Sequence, residues 1–324
     1  MTFWQRLPKP FFVLAPMANV TDSVFRRLFA KYGKPDVTWT EFVSADGLIS
    51  PGRKNLLHDL EYSAKERPIV AQLFTGHPEV MKKAAALAKK LGFDGLDINM
   101  GCPDRSVEKQ GGGAAHMRDP KTALKVIAAA REGFGGPVSV KTRIGYNRVE
   151  MDWIRTLLEL RLPALTVHLR TRKEMSDVPA HWELMPEIVE LRNQISPETL
   201  IIGNGDVESM EDAWAKVAKS GCDGAMIGRG IFGKPWFFEK KPKDRTPEER
   251  LKVMLEHAKL FEKTFCGKNG KRGLKNFAVM KKHFKAYVHG WDGAKELRVK
   301  LMETENAKEV DKIVKEYLKL NIAA

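Results

Sequence analysis

The first 230 or so residues alternate short apolar runs with stretches whose apolar residues recur at helical spacing. Phe11-Phe12-Val13-Leu14-Ala15 is such a run and stops at Pro16; residues 22–32 then carry Val24, Phe25, Leu28 and Phe29 on one stripe of a helix. The same pattern predicts strands over 37–42, 68–73, 95–99, 137–141, 164–168, 200–204 and 224–228. Helices are predicted over 78–91, 120–132, 151–161 and 209–220. Buried strands followed by helices imply a parallel sheet with crossover connections. Eight such units in about 230 residues predict an α/β fold, a (β/α)8 TIM barrel. The competing arrangement is a doubly wound open sheet, but no GxGxxG follows the first strand.

The alternation ends at Lys240-Lys241-Pro242-Lys243-Asp244-Arg245-Thr246-Pro247, a charged segment punctuated by prolines. We read a barrel over 1–238 and a small C-terminal helical domain over 245–324. Thr246 is placed to cap the next helix, with Pro247 at its first position and Glu248 and Glu249 in its first turn. Leu251, Leu255, Ala258 and Phe261 mark that helix, and 277–288, 292–302 and 310–320 read as three more, together a helical bundle.

Composition narrows the possibilities. With 324 residues, 43% of them hydrophobic, the chain can bury a sizeable core. No apolar run approaches the roughly 20 residues that span a bilayer, and the first ten residues lack the apolar stretch of a secretory signal. The three cysteines, Cys102, Cys222 and Cys266, are far apart and in no CxxC spacing, which argues against a disulfide framework or a cysteine-bound metal. The histidines lack ligand spacing as well, so no metal is expected, and a reducing cytoplasm is the expected location. The net charge is +14, which favours a polyanionic partner. From Glu239 onward there are 22 Lys and Arg against 13 Asp and Glu, so the surplus is concentrated at the C-terminal end. Its densest run is Lys271, Arg272, Lys275, Lys281, Lys282 and Lys285, threaded by Phe277, Phe284 and Tyr287, and reads as a set of phosphate contacts.

In a barrel, chemistry sits at the C-terminal ends of the strands. Gln72, Asn99, Lys141, His168, Asn204 and Asp206 fall there. The sharpest motif is Asn99-Met100-Gly101-Cys102-Pro103, just past the fourth strand. A thiol with a reference pKa of about 8.5 is mostly protonated at neutral pH and can serve as a general acid. It can also serve as a nucleophile, although no base is marked beside it.

These residues bring a resemblance into view. Ala15-Pro16-Met17-Ala18-Asn19-Val20-Thr21-Asp22, Thr40-Glu41-Phe42-Val43-Ser44-Ala45, Gln72-Leu73-Phe74, the Asn99–Pro103 motif, Val140-Lys141-Thr142-Arg143-Ile144-Gly145, Gly203-Asn204-Gly205-Asp206-Val207 and Ile227-Gly228-Arg229-Gly230 occur in that order. In these motifs the chain resembles the tRNA-dihydrouridine synthases from about residue 11 to 238, and more loosely beyond. The resemblance implies FMN at the top of the barrel. Pro16, Met17 and Ala18 would present backbone to the isoalloxazine ring. Gln72, Lys141 and His168 would contact the ring or its ribityl chain, and Asn204, Gly205, Asp206, Gly228 and Arg229 would hold the phosphate end. It also implies reduction of a tRNA uridine to 5,6-dihydrouridine with NADPH or NADH as reductant and Cys102 as proton donor. Asn99, Arg143, Arg170, Lys271, Arg272, Lys275 and Lys282 would then face substrate or tRNA. Leu169 stands where many relatives have glycine, which implies extra bulk near the flavin or the tRNA. The expected partner is tRNA, with the chain a monomer needing no protein partner. Two alternatives stand beside this reading: an FMN barrel acting on a small pyrimidine, as dihydroorotate dehydrogenases do, and a tRNA-binding barrel without catalysis.

Overall fold

A computed structural model describes residues 2–267 and 273–322. Among them, eight short strands follow the predicted runs: β1 (Phe11–Leu14), β2 (Thr38–Ser44), β3 (Ile69–Phe74), β4 (Gly95–Met100), β5 (Val138–Arg143), β6 (Ala164–His168), β7 (Leu200–Asn204) and β8 (Gly224–Ile227). They pair in the order β1-β8-β7-β6-β5-β4-β3-β2, all parallel. A parallel bridge between Val13 and Val37, with the Leu14 N–H bonded to the Val37 C=O at 3.2 Å, ties β1 to the segment entering β2. The sheet is therefore curled back on itself, the (β/α)8 barrel of the TIM class.

The helices between and after these strands are α1 (Ser23–Tyr32), α2 (Ala45–Ile49), α3 (Pro78–Lys90), α4 (Arg105–Lys109), α5 (Pro120–Phe134), α6 (Met151–Leu158), α7 (Met185–Ile195) and α8 (Met210–Ser220). Local chemistry sets their ends. Asp119 caps α5 by accepting the Thr122 N–H at 3.1 Å, and Gly135 stops that helix in the left-handed region at φ 58°. The hydrophobic pattern misses α7, because its buried face is only Met185, Ile188 and the stem of Arg192. It also misses α2 and the 3-10 turns between Pro51 and Glu66, which are too short to show a period.

Inside the barrel, an aromatic and aliphatic floor of Phe11, Val13, Trp39, Val70, Ile202 and Met226 is closed by Phe3 and Trp4 from the N-terminal segment. The Trp4 ring lies 5.8 Å from Trp39. One step further along the strands the interior turns polar, with Gln72, Asp97 and Ser139 in register on β3, β4 and β5.

The chain divides into two compact units, residues 1–23 with 35–230 and residues 24–34 with 231–324. The second unit contains α9 (Pro247–Phe265), α10 (Met280–Tyr287), α11 (Ala294–Met302) and α12 (Ala307–Ile322) around a core of Leu251, Met254, Phe261, Phe284 and Leu301. Val24 of α1 belongs to this same core, which is why residues 24–34 group with it. As expected, Thr246 caps α9, its hydroxyl accepting the Glu249 N–H while the Glu249 carboxylate accepts the Thr246 N–H. The single helix expected over 277–288 is instead a 3-10 turn, Phe277–Val279, followed by α10. Asn276 imposes the tighter turn by accepting the Ala278 N–H at 2.8 Å. No helix among the described residues is long and apolar enough to cross a membrane.

Candidate active site

β4 delivers Cys102. The Asn99 carboxamide oxygen accepts the backbone N–H of Gly101 at 3.1 Å and of Cys102 at 3.0 Å, so the turn is fixed from within its own sequence. The Cys102 C=O accepts the Ala114 N–H at 2.9 Å. Gly113 sits at φ 59°, and a Cβ there would lie 2.6 Å from the Cys102 carbonyl oxygen. Gly113→Ala is therefore expected to cost about 1–3 kcal/mol of stability in urea denaturation and to change the alkylation rate of Cys102. If both stay at the wild-type level, Gly113 does not set the turn.

Two arginines brace the carbonyls on either side of the thiol. Arg143 Nε donates to the Gly101 C=O at 2.9 Å, and Arg172 Nη2 reaches the Pro103 C=O at 3.4 Å. Cys102 is half-buried, and this burial pushes its thiol pKa up, against the opposing pull of Lys141 and Arg143. The thiol is therefore protonated at neutral pH.

The polar strand ends form two short chains. Gln72 Nε2 donates to Asp97 Oδ2 at 2.7 Å, and Ser139 Oγ donates to Asp97 Oδ1 at 2.5 Å. Burial lifts the Asp97 carboxyl to about 6, with the Ser139 and Gln72 bonds and the Lys141 charge opposing. Lys141 Nζ donates to Asn204 Oδ1 at 3.0 Å, and Asn204 Nδ2 donates to the Met226 C=O at 2.8 Å. Burial, then the Arg143 charge, lowers the Lys141 ammonium to about 8, so it remains largely cationic at pH 7.

The remaining predicted residues fall into place unevenly. Arg143 is 6% exposed, and its Nη1 also donates to the Thr171 and Met175 carbonyls at 2.9 Å each. Arg170 is buried, bound to the Val178 C=O at 2.6 Å and to Asp206. Its Nη1 lies 3.2 Å from His168 Nε2. That donor makes Nε2 an acceptor and puts the ring proton on Nδ1. Burial and the cations Arg143, Lys141 and Arg170 hold His168 neutral, well below the usual histidine range. Asp206 also accepts the Ala180 N–H at 2.8 Å and Arg229 Nη2 at 2.9 Å, so it orients two guanidiniums. Gly205 receives the Trp182 indole N–H on its carbonyl at 2.7 Å. The Met17 N–H is held by Thr21 Oγ1 at 2.9 Å and the Asn19 N–H by Glu41, which shapes the turn carrying Pro16, Met17 and Ala18. Leu169 is fully buried, so its bulk packs into the protein instead of lining the opening.

In the C-terminal unit, Lys271 and Arg272 lie outside the described residues. Lys275 lies over the Phe265 ring at 5.1 Å, and Lys282 is half-buried on α10. Among the described residues no cluster of His, Cys, Asp or Glu could hold a metal. Sequence reasoning missed Asp97 and Glu41. The signal for Asp97 was available: a charged residue inside the apolar run Gly95-Leu96-Asp97-Ile98.

A protonated thiol, an ammonium and a buried amide gathered at the C-terminal ends of barrel strands define a TIM-barrel enzyme. The chain belongs to the dihydrouridine synthase family, which it matches over residues 13–323. It is 41% identical over 318 residues to a probable tRNA-dihydrouridine synthase of Staphylococcus aureus (strain COL), covering 97% of this chain and 95% of that protein. It is also 41% identical over 318 residues to probable tRNA-dihydrouridine synthase 2 of Bacillus subtilis (strain 168), covering 97% and 96%. Among solved structures, histamine dehydrogenase from Rhizobium sp. 4-9 aligns with a TM-score of 0.51 at 12% identity, over 77% of this chain and 48% of that one. The chain spans about half the length of that solved protein, and the likeness is one of fold.

Proposed function

We propose that this chain reduces a uridine in tRNA to 5,6-dihydrouridine, with FMN as cofactor, NADPH or NADH as the electron source and Cys102 as proton donor. Family membership supports the reaction class. The observation that carries the site assignment is the protonated Cys102 thiol held just past β4, with two cations near it.

The residues present fit FMN. Gln72 Oε1 is buried and has no hydrogen-bond partner among the described residues, which suits an acceptor kept for a ligand N–H. At the end of β8, a Cβ on Gly228 would meet only Met17 Sδ at 3.8 Å and Ala15 Cβ at 3.9 Å, so the backbone there is open to close approach. Arg229, exposed and steadied from one side by Asp206, adds positive charge for a phosphate. Pro16, Met17, Ala18, Gln72, Lys141 and His168 would hold the ring system, and Asn204, Gly205, Gly228 and Arg229 the phosphate end, with Asp206 orienting Arg229. When bound and reduced, the flavin would supply a hydride to C6 of uracil, that is, the two electrons and one of the two hydrogens that saturate the C5–C6 double bond. Cys102 Sγ–H gives its proton to C5; the S–H bond breaks and leaves a thiolate. The Lys141 and Arg143 charges favour that thiolate, so the transfer does not end on an uncompensated anion. A uracil stacked in folded tRNA must be extruded to reach the thiol.

Two measurements on purified protein test the reading: a flavin absorbance band, and dihydrouridine formed in unmodified tRNA with NADPH. A colourless protein that leaves tRNA unchanged rejects it. Turnover of dihydroorotate in place of tRNA would replace it with the small-pyrimidine reading.

The C-terminal unit is proposed to grip the tRNA backbone. Lys281 and Lys285 stand one helical turn apart on α10 and share a face. Lys281→Glu with Lys285→Glu is expected to weaken tRNA binding and leave FMN content unchanged. The slope of log affinity against log salt should flatten by about 0.7–0.9 for each phosphate that is no longer neutralised. Unchanged affinity and slope in a salt titration would remove this face from the interface.

A further inference from the structure

Asp97 has no role in the chemistry described so far, yet it is an acid with no solvent exposure in the middle of the barrel. Both of its carboxylate oxygens accept a hydrogen bond, Oδ1 from the Ser139 hydroxyl and Oδ2 from the Gln72 amide nitrogen. The consequence falls on Gln72. A carboxamide can present either its N–H groups or its oxygen in a given direction, and the two orientations have nearly the same shape. A carboxylate accepts only, so it binds the nitrogen and leaves the oxygen on the other branch. That oxygen is buried and has no partner among the described residues, on a side chain with no solvent exposure. The backbone N–H of Gln72 is itself held by Thr40 Oγ1 at 3.1 Å, so the residue is anchored at both ends.

We propose that Asp97 is a positioning residue that locks the Gln72 amide with its nitrogen turned inward. The cofactor site then meets an acceptor at Gln72, and a bound ring must answer it with an N–H. This rests on the FMN reading above. It makes Gln72 a selector for the hydrogen-bonding edge of a pyrimidine-type ring, with the selection set by a residue that does not touch the ring. The raised carboxyl pKa of Asp97 still leaves it mostly ionised at neutral pH, as an acceptor-only partner requires.

Exchanging donor and acceptor tests the lock. Gln72→Glu removes the inward donor and sets two acids against each other. Adding Asp97→Asn restores a complementary pair. The amide nitrogen introduced at position 97 can donate to the carboxylate introduced at position 72, while the new amide oxygen still accepts from Ser139. Net charge and volume are conserved in the exchange. The readouts are FMN affinity by flavin-fluorescence quenching, the bound-flavin absorbance spectrum, and thermal melting of each apoprotein. Q72E is expected to bind FMN about tenfold or more weakly than wild type, and the Q72E/D97N exchange to return affinity and spectrum to within about threefold. Q72M, which keeps the volume but has neither the acceptor nor the donor to Asp97, is expected to lose about tenfold in FMN affinity and to melt lower, because Asp97 Oδ2 is left without that partner. A Q72E protein that fails to fold beside an exchanged pair that folds and binds FMN reads the same coupling. An exchanged pair no better than Q72E overturns the role of Asp97, and wild-type affinity in Q72M overturns the role of the Gln72 oxygen. Wild-type protein that binds no FMN at all overturns this proposal together with the functional reading beneath it.

Discussion

Cys102→Ala is expected to slow uridine reduction by about 10²–10⁴-fold, the range for loss of a positioned general acid, while FMN content and the rate of NADPH oxidation stay close to wild type. The separation of the two effects is the informative part. The thiol stands on a turn fixed by Asn99, and the Gly101 carbonyl beside it is braced by Arg143. Removing one sulfur leaves those bonds intact. Single-turnover reduction of tRNA by the pre-reduced variant measures the chemical step alone. Wild-type rates there would exclude Cys102 as the proton donor. Loss of flavin would show instead that the substitution disturbed the strand ends.

The second large effect is on stability. The C-terminal unit buries two histidines, His257 and His283, with ring centroids 4.6 Å apart. Among the described residues, His257 Nε2 and both nitrogens of His283 have no hydrogen-bond partner. Phe25 stacks on His257 at 4.8 Å and meets His283 edge-on at 5.0 Å. Burial holds both rings neutral, His283 down to about 3 with the Lys282 charge adding to the effect, and His257 well below the usual range. A folded-state pKa below the unfolded value of 6.5 means that the unfolded chain binds the proton first. The stability is fully present above about pH 6.5 and is lost as the pH falls toward 3. At about pH 4.5 the deficit from His283 alone is about 3 kcal/mol, a large share of a typical domain's total, and His257 adds in the same direction. Thermal melts across this window should therefore show melting temperature falling steeply with acid. His283→Phe, which suits the surrounding aromatic rings, should flatten that dependence. Equal acid sensitivity in the phenylalanine variant would place the titrating group elsewhere.

Much of the barrel is legible in the amino-acid order because several strands, β1, β7 and β8 above all, are largely apolar runs, and a run buried on both faces needs no alternation to be seen. The polar residues that end those runs mark the site for the same reason: Gln72, Lys141 and Asn204 are conspicuous against their neighbours. Helix α7 is not legible, since only three of its eleven residues, Met185, Ile188 and Arg192, are buried and one of those is an arginine. The roles of Arg143 and Arg170 are not legible either. An arginine at a barrel mouth looks the same in sequence whether it meets RNA or turns back to its own backbone. Only the fold shows these two occupied by carbonyls of Gly101, Thr171, Met175 and Val178 and by Asp206. Leu169 shows the same limit: a leucine just past the sixth strand is visible in the sequence, whereas its burial is not.

The second compact unit is discontinuous, with residues 24–34 completed by residues 231–324. On the ribosome, the strip carrying Val24, Phe25 and Phe29 emerges early, and the helices that share its core come roughly 200 residues later. At about 5–20 residues per second this is a wait of roughly 10–40 s. Throughout that time three large apolar side chains of a nascent amphipathic helix lack their final partners, a natural recognition element for a chaperone that scans growing chains. The helices within residues 231–324 would then be what releases α1 from its escort.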